Sequence, residues 1–581
     1  MDTYSFFLEP TMTAHKQYEA LRMYYIEGAT ASKVADQFGY TYRAMTSLIT
    51  AYRKKLDKDP SGSFFFAENK AGRKVGSGTN QAKTVIINLR KKYYSVPDIK
   101  VVLDALGLII SEKNIYNIIS AEGFSRLPRR AKLVRQQLEE VQLPAEKSCP
   151  LTFSKEIFKS SNAGVLMFLP LIKRYHLDSV INKSAYPGTS QIDKMASILS
   201  FLALKLSNRR RYSSDDTWCM DRGMGLFAGL NVLPKTAWYT SYSDRVTSKM
   251  NIGFLKQLHK IWLNAGLLDD TSNLDFTTIP YWGNSDHLEN NWSGKRGKVL
   301  SSMLAVLAHD PDSGLIDYGH TQVLQKKESD VVLEFLDFYR GNQKGHDYPL
   351  QYIVFDSRFT NYENLNKLDQ SDVKFITIRR RGKLMLDRIS SLPPQGWKTI
   401  RVDCAANKKR SLRVYDEQVY LKGYDHNIRQ IIITGNGKIK SAVVITNDFD
   451  LTTEKIIRKY ARRWTVEKSI SEQIEFFHLN LVSSSMVIKV DFDLTMSIFA
   501  HNLYRLLALE FERYSNLSVR SLYEKFVLNG ADIEIGEKNI VVKLKKKRNL
   551  PLILETMPQF SKLKYPWLND KQLVFEGASY S

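Results

Sequence analysis

The chain has 581 residues, with 84 lysines and arginines against 61 aspartates and glutamates, which gives a formal net charge of +23. Hydrophobic residues make up 43% of it, so a wholly disordered polycation is excluded, and the length exceeds what one hydrophobic core usually serves. So large a positive surplus favours a polyanionic partner, nucleic acid first, over an ordinary basic protein.

The cysteines Cys149, Cys219 and Cys404 lie far apart and form no CxxC pair. Neither a zinc ribbon nor a disulfide framework is therefore expected, which fits a reducing compartment. The N-terminus lacks a charged segment followed by an apolar one, and no stretch reaches about 18 uninterrupted apolar residues. We expect a soluble intracellular protein without a membrane partner.

Residues 1–60 have the pattern of short helices around a glycine-containing turn. Thr30 is suited to cap a helix that runs to about Phe38, and Gly39 is suited to end it. A second helix follows and carries Arg43. This pattern predicts a helix-turn-helix domain with Arg43 as a DNA contact, although an ordinary helical hairpin would give the same pattern.

Residues 61–82 are rich in glycine, serine and charge and predict a linker. Residues 83–150 repeat the helical pattern, with Ser95 and Ser111 in N-cap positions, and predict a second helix-turn-helix domain. A basic arm follows it within this domain and is expected to contact DNA phosphates, unless it only solvates a surface. The residues assigned to that contact are Arg126, Arg129, Arg130 and Lys132.

Residues 151–270 are helical by pattern, and the pattern then changes. Residues 271–510 predict three strands, a helix, a strand, a helix, a strand, a β-rich segment at about 381–440, a further strand and a long helix. This order predicts a mixed α/β sheet with one insertion. Residues 511–581 form a C-terminal region that we expect to be helical, within a multidomain α/β chain.

Three carboxylates fall at informative positions in this alternation. Asp275 lies inside the first strand, Asp356 ends the fourth, and Glu467 lies on the long helix, where Tyr460 and Arg463 share its face. The carboxyl end of a strand is where open α/β sheets place ligands. For any one of them a surface role or an ion pair is the simpler explanation. Together they predict an all-oxygen site for two Mg²⁺ or Mn²⁺ ions and phosphodiester chemistry.

The segments LDFTTIPYWG, IVFDSRFTNYENL and YARRWTVEKSISEQ resemble the three blocks of bacterial insertion-sequence DDE transposases, which have an RNase H-like core. The third block is similar to the Tyr-x2-Arg-x3-Glu-x6-Lys signature of the branch with a β-rich insertion before the catalytic glutamate. The resemblance implies catalytic and metal-binding roles for Asp275, Asp356 and Glu467, and DNA-phosphate contacts from Tyr460 and Arg463.

One position departs from that signature. Its lysine falls at Ile474, so the implied DNA-end contact is either absent or made by another cation. Glu472 and Glu475 are alternative third carboxylates, and Glu472 lies off the face of Glu467. Trp464 is expected to pack in the core beneath the site.

The resemblance implies a bacterial, cytoplasmic and nucleoid-associated DNA transposase. It would bind the terminal inverted repeats of its element and, with two Mg²⁺ or Mn²⁺ ions, cleave and transfer strands. Its partners would be double-stranded DNA, as transposon ends and as target, and a second copy of the chain in a homodimeric synaptic complex. Two alternatives stay open from the sequence: a catalytically inactive transposase-derived DNA-binding protein, favoured by Ile474, and a metal-dependent DNA nuclease without joining activity.

Overall fold

The structure is a computed structural model that describes most of the chain. The described residues are 13–57, 82–83, 85–87, 89–90, 94–105, 108–121, 124, 155–189, 191–210, 215–243, 245–281, 288–293, 297–341, 349–404, 408–435, 441–479, 481 and 487–579. Most of the predicted linker and all four residues of the basic arm assigned to DNA lie outside these ranges. The chain divides into two compact units, Met1–Asn80 and Gln81–Ser581.

Short helices build the described part of the first unit: α1 Thr13–Tyr25, α2 Ala31–Phe38 and α3 Tyr42–Leu56. The predicted caps of α2 are confirmed, because the Thr30 hydroxyl accepts the N–H of Lys33 and Gly39 ends the helix with a φ of 64°. Met45 is buried in the small core of these helices, whereas Arg43 is exposed on α3.

The second unit contains the remaining helices and all the described strands. Its helices are α4 Val96–Ala105, α5 Glu112–Ala121, α6 Phe168–Arg174, α7 Leu177–Lys183, α8 Lys194–Leu206, α9 Asp215–Trp218, α10 Arg222–Phe227, α11 Thr236–Ser243, α12 Ser248–Asn264, α13 Val331–Arg340, α14 Tyr362–Gln370, α15 Lys383–Ser390, α16 Thr453–Arg462, α17 Trp464–Glu475, α18 Val487–Glu510, α19 Val519–Leu522 and α20 Leu550–Thr556. None of the helices described is long and apolar enough to cross a bilayer.

The strands of the second unit form two sheets. They are β1 Glu156–Ser160, β2 Thr271–Pro280, β3 Asn290–Ser293, β4 Lys298–His309, β5 Ile316–Val323, β6 Tyr352–Phe355, β7 Lys374–Ile378, β8 Trp397–Cys404, β9 Lys408–Tyr420, β10 Asn427–Thr434, β11 Ala442–Thr446, β12 Ala531–Ile535, β13 Asn539–Leu544, β14 Lys564–Tyr565 and β15 Lys571–Gly577. Helix caps at the start of this unit also match the sequence, since Ser95 and Asp98 cap α4 reciprocally and Ser111 caps α5.

Ten of the described strands form one mixed sheet in the order β3–β4–β2–β6–β7–β11–β10–β9–β8, with β5 paired to β4. Strand β2 is antiparallel to β4 and parallel to β6, and β6 is parallel to β7. The chain crosses from β5 to β6 through α13 and from β6 to β7 through α14. This is the mixed core that the alternation predicted, with β5, β4, β2, β6 and β7 in the order of an RNase H-like sheet.

The β-rich insertion continues the core sheet. Strands β8, β9 and β10 pair with one another in sequence, β10 pairs with β11, and β11 returns to pair with β7. A small core between α15 and these strands buries Ile389, Ile432 and Val443. The inserted residues therefore widen the sheet on the side of β7, away from β4.

The expectation of a helical C-terminal part is wrong. Strands β12 to β15 join β1 in a second sheet, in the order β1–β12–β13–β15–β14. Along β12 and β13 the side chains alternate between the core and a more exposed face, which is the period of a strand and not of a helix. The lysine-rich run that follows β13 gives no helical or strand periodicity of its own, so the local sequence offered little warning.

The long helix predicted before the end of the core is interrupted at Arg463. There the N–H of Arg463 bonds to the carbonyl of Tyr460, and the N–H of Val466 bonds to the carbonyl of Arg463. Both bonds span three residues, so the chain tightens between α16 and α17. The Thr465 hydroxyl also donates to the Arg462 carbonyl at 2.6 Å, which satisfies a group that the break frees.

Candidate catalytic site

Asp275 and Asp356 lie at the same level on neighbouring parallel strands. In the register of β2 and β6, Leu274 is paired with Phe355, and each aspartate is the next residue along its strand. Because β2 continues past this point to Pro280 whereas β6 ends, the two carboxylates meet at the carboxyl edge of the shorter strand. The register therefore places these two aspartates side by side.

A stacked pair of rings fixes the two aspartate segments against each other. The rings of Phe276 and Phe359 lie 3.9 Å apart between centroids and are nearly parallel, at 6°. Each carboxylate also accepts the next backbone N–H, Asp275 from Phe276 at 2.8 Å and Asp356 from Ser357 at 2.6 Å. One oxygen of each aspartate is therefore held by its own backbone.

Arg463 bridges two of the three predicted carboxylates. Its Nη1 donates to Asp275 Oδ2 at 2.6 Å, and its Nη2 donates to Glu467 Oε1 at 2.7 Å. The Arg463 side chain is only 9% exposed, whereas that of Glu467 is 44% exposed. Its third nitrogen, Nε, is buried and has no hydrogen-bond partner among the described residues. The guanidinium therefore lies as a buried cation between the two acids.

The junction of α16 and α17 is held over β2 by groups that sequence reasoning missed. Asn273, two residues before the first aspartate, donates from Nδ2 to the Arg462 carbonyl at 3.1 Å. Lys459 on α16 donates to Asp270 Oδ1 at 2.8 Å, next to the start of β2. The available signal was an amide side chain, Asn273, within a predicted strand, and in the structure that amide is fully buried.

Burial raises the pKa of Asp275 to about 6. Arg463 and the Phe276 N–H oppose this rise, while the charges of Glu467 and Asp356 add to it. Burial is the largest cause of the rise, and two further acids, Glu467 and Asp356, act on Asp275 beside the single guanidinium of Arg463. A site in that condition favours the binding of a further cation.

Tyr460 lies beside Arg463, with its ring centroid 5.7 Å from the guanidinium carbon. Burial raises the pKa of its hydroxyl to about 12, although the neighbouring Arg463 lowers it. The tyrosine is therefore neutral at physiological pH and can act only as a hydrogen-bond donor or acceptor through an uncharged hydroxyl.

The carboxylates fit a divalent metal by their chemistry, with Arg463 as the obstacle. No group of three or more His, Cys, Asp or Glu side chains in the described residues is spaced to hold a metal ion. The donor set of Asp275, Asp356 and Glu467 consists of carboxylate oxygens, which are the preferred ligands of Mg²⁺ and Mn²⁺. In this structure the Arg463 guanidinium occupies one oxygen of Asp275 and one of Glu467 that such an ion would need.

Other residues of the third motif lie elsewhere. The expectation that Trp464 packs in the core is wrong: it is 67% exposed, because the break before α17 turns it outward. Glu472 is largely buried and accepts the Val519 N–H at 3.0 Å, away from the bridge at Arg463. Ile474 packs partly buried against the main core, and Glu475 is exposed.

Residues 269–503 match a family model described as the transposase DDE domain. One solved structure with similarity is a cryo-EM structure of the piggyBac transposase synaptic complex with hairpin DNA, at 11% identity and a TM-score of 0.33, over 63% of this chain and 79% of that chain. No curated protein matches the chain. The family match bears out the resemblance to the DDE transposases for residues 269–503.

Proposed function

We propose that the chain is a DNA transposase that binds the terminal inverted repeats of its element and catalyses metal-dependent strand cleavage and strand transfer. The observation that carries the proposal is the grouping of Asp275 with Asp356 on adjacent strands, and of Asp275 with Glu467 through Arg463, inside the DDE domain. Asp275 and Asp356 lie side by side at one edge of the sheet, and Glu467 on α17 is linked to Asp275 through Arg463.

In this proposal Asp275 and Asp356 hold one Mg²⁺ or Mn²⁺ ion, and Asp275 and Glu467 hold a second. Bound there, the ions would supply activation of a water or a 3′-hydroxyl and charge stabilisation for the leaving oxygen of an in-line displacement. The backbone bonds to one oxygen of each aspartate leave the other oxygen of Asp356 available for a ligand. Asp275 requires in addition that Arg463 release its second oxygen.

Arg463 then changes partner when DNA binds. Its guanidinium is already buried, charged and forked, which suits a phosphate as well as a carboxylate. A DNA phosphate at the site would draw the guanidinium from Asp275 and Glu467 and so free their oxygens. Tyr460, adjacent and neutral, would contact the same phosphate. Phosphate and metal binding would thus support each other.

The net charge of +23 supports double-stranded DNA as the partner, both as transposon ends and as target. Arg43, exposed on α3 of the first unit, would contact the terminal repeat through that helix-turn-helix domain. Arg126, Arg129, Arg130 and Lys132 keep their proposed phosphate contacts, and they lie outside the described residues. A homodimeric synaptic complex and a bacterial insertion sequence as the source belong to the same proposal.

The test is a cleavage and strand-transfer assay on duplexes that carry the element's ends. Asp275→Asn, Asp356→Asn and Glu467→Gln should each abolish both activities and leave end binding intact. Asp312→Asn is the matched control, because Asp312 is an exposed acid of the same domain that pairs only with Arg462 in the described structure. Joining activity retained in any folded variant of the three would refute the assignment of that residue.

One observation supports the alternative that the chain is an inactive DNA-binding protein. Ile474 stands where the signature has a lysine, and it packs against the core, so this position cannot supply the implied cation. End binding by the wild type without metal-dependent cleavage would establish that alternative. Cleavage without joining would establish the nuclease. Both results come from the assay above.

A further inference from the structure

A cleft of about 400 Å³ opens beside the candidate catalytic site. Its walls include Lys326, Glu328, Arg358, Asn361, Tyr362 and Arg380. Neither the triad nor the family match gives these residues a role. Their chemistry and their position together point to a ligand.

The cleft adjoins the aspartates through both chain and contacts. Arg358 is two residues beyond Asp356, and its guanidinium lies over the ring of Phe276 at 5.1 Å, next to Asp275. Arg380 follows β7, which is parallel to β6, so it lies at the same edge of the sheet as Asp356. A molecule in the cleft would therefore lie alongside the reacting group.

The charge of the cleft is positive. Its one lining carboxylate, Glu328, is neutralised by a two-bond pair with Arg358, at 2.5 and 3.1 Å. Lys326 and Arg380 are exposed and have no acidic partner in the described part of the chain. Two unpaired cations thus face the opening, and a fixed arginine–glutamate pair forms part of the wall.

The remaining lining suits a nucleotide better than a bare anion. Asn361 uses its side-chain oxygen to accept the Glu363 N–H at 3.0 Å, which leaves its amide nitrogen free to donate. Tyr362 is half-buried against the main core and also lines the cleft. An aromatic face and an amide donor beside two cations can meet both the base and the phosphate of one nucleotide.

We propose that this cleft binds a nucleotide of the DNA strand next to the reacting phosphate, with Lys326 and Arg380 on its phosphate and Tyr362 and Asn361 toward its base. The inference rests on the proposed function, since it requires DNA at the aspartates. The cleft would be an additional binding site for the DNA strand. It would set how far that strand enters the catalytic site and which face of the strand meets the triad.

The experiment measures binding of the full chain to an element-end duplex over a range of salt concentrations. Each of Lys326→Ala and Arg380→Ala should reduce the slope of log affinity against log salt by about 0.9, the value for one phosphate contact. Lys562→Ala is the matched control, because Lys562 is an exposed lysine of the C-terminal sheet region. Slopes equal to that of the control in both variants would overturn the proposal.

A phosphate scan locates the contact. Replacing one phosphate at a time with a methylphosphonate should reveal a position near the cleavage site where the wild type loses about tenfold in affinity and Lys326→Ala loses nothing further. Additive losses at every position would overturn the proposal. Titration with a free mononucleotide tests whether the cleft is instead a pocket for small molecules. Tight binding of the mononucleotide that does not change DNA binding would also contradict the proposal.

The proposed function and this cleft can fail separately. A wild type that neither binds nor cuts end DNA refutes the transposase proposal. The cleft proposal alone is refuted if the wild type cuts end DNA and if Lys326→Ala and Arg380→Ala, both folded, bind and cut it like Lys562→Ala.

Discussion

Arg463 and Asp275 form a buried ion pair, with 2.6 Å between Nη1 and Oδ2, that ties the junction of α16 and α17 to the central strand of the core sheet. Their side chains are 9% and 16% exposed. Removing one partner of such a pair leaves the other charge unpaired in the interior, which typically costs about 3–5 kcal/mol. The same contact therefore stabilises the fold and occupies a carboxylate oxygen that the proposed metal site would need.

The first prediction concerns metal affinity. Arg463→Ala removes the cation that competes for Asp275 and Glu467, so Mn²⁺ binding to the DNA-free protein should tighten at least about tenfold, since charged hydrogen bonds are worth about 1.5–3 kcal/mol each. The Mn²⁺ affinity is measured from the electron paramagnetic resonance signal of free Mn²⁺, at a temperature below the melting temperature of the variant. Arg462→Ala, which loses a surface pair with Asp312, is the control. Equal affinities in the two variants would contradict the prediction.

The second prediction is a pH dependence of the metal-free protein. Burial raises the pKa of Asp275 from 3.8 to about 6, so folding favours its protonated form. Its contribution to stability is therefore fully present below about pH 4 and is lost as the pH rises through 6, a loss of about 3 kcal/mol by pH 7. Unfolding free energies of the wild type and Asp275→Asn in EDTA should diverge by that amount, in favour of the variant, between pH 4 and 7. A constant difference would refute it.

The third prediction separates two glutamates of α17. Glu472→Ala leaves the Val519 N–H without its acceptor and should lower the unfolding free energy by about 1–3 kcal/mol, while cleavage by the folded protein persists. Glu467→Gln should abolish cleavage, with the smaller stability change expected of a side chain that is partly in solvent. Denaturant titration and a cleavage assay on both variants decide it. The reverse pattern would make Glu472 the third catalytic acid.

The fourth prediction tests the packing of the second unit. A Cβ at Gly164 would lie 2.0 Å from the carbonyl oxygen of Val527, a backbone atom, so Gly164→Ala should cost about 3 kcal/mol or more. A Cβ at Gly253, exposed on α12, meets nothing within 4 Å, so Gly253→Ala should stabilise by about 0.5–1 kcal/mol. Thermal unfolding should show shifts of opposite sign. Shifts of the same sign would mean that the contact between Gly164 and Val527 is not formed.

Local patterns predicted much of the core. The caps at Thr30 and Gly39 follow from side-chain chemistry within one turn, and they are observed. The strands of the core were predicted because buried strands are continuous apolar runs that local sequence displays. The three motif carboxylates were chosen from their places inside a strand, at a strand end and on a helical face, together with the resemblance of their segments to the DDE blocks.

Pairing between strands that are far apart in the chain could not be predicted from the sequence. Strand β1 pairs with β12, so Glu156 faces Ile535 from the other end of the unit, and no local pattern marks such a partner. The C-terminal helices were wrongly predicted because short alternating strands give a weak signal until a sheet forms around them. Trp464 was wrongly placed because the break at Arg463 changes which way the helix faces.

By itself the sequence determined that Arg463 and Glu467 share a helical face, since residues four apart meet in any helix. It also determined the excess of positive charge that favours DNA. Only the tertiary structure decided that the guanidinium lies between Glu467 and Asp275, which is 188 residues away from Arg463 along the chain. The buried amide of Asn273 and the packing of α17 on the sheet fix that distance, and neither is a property of a local segment.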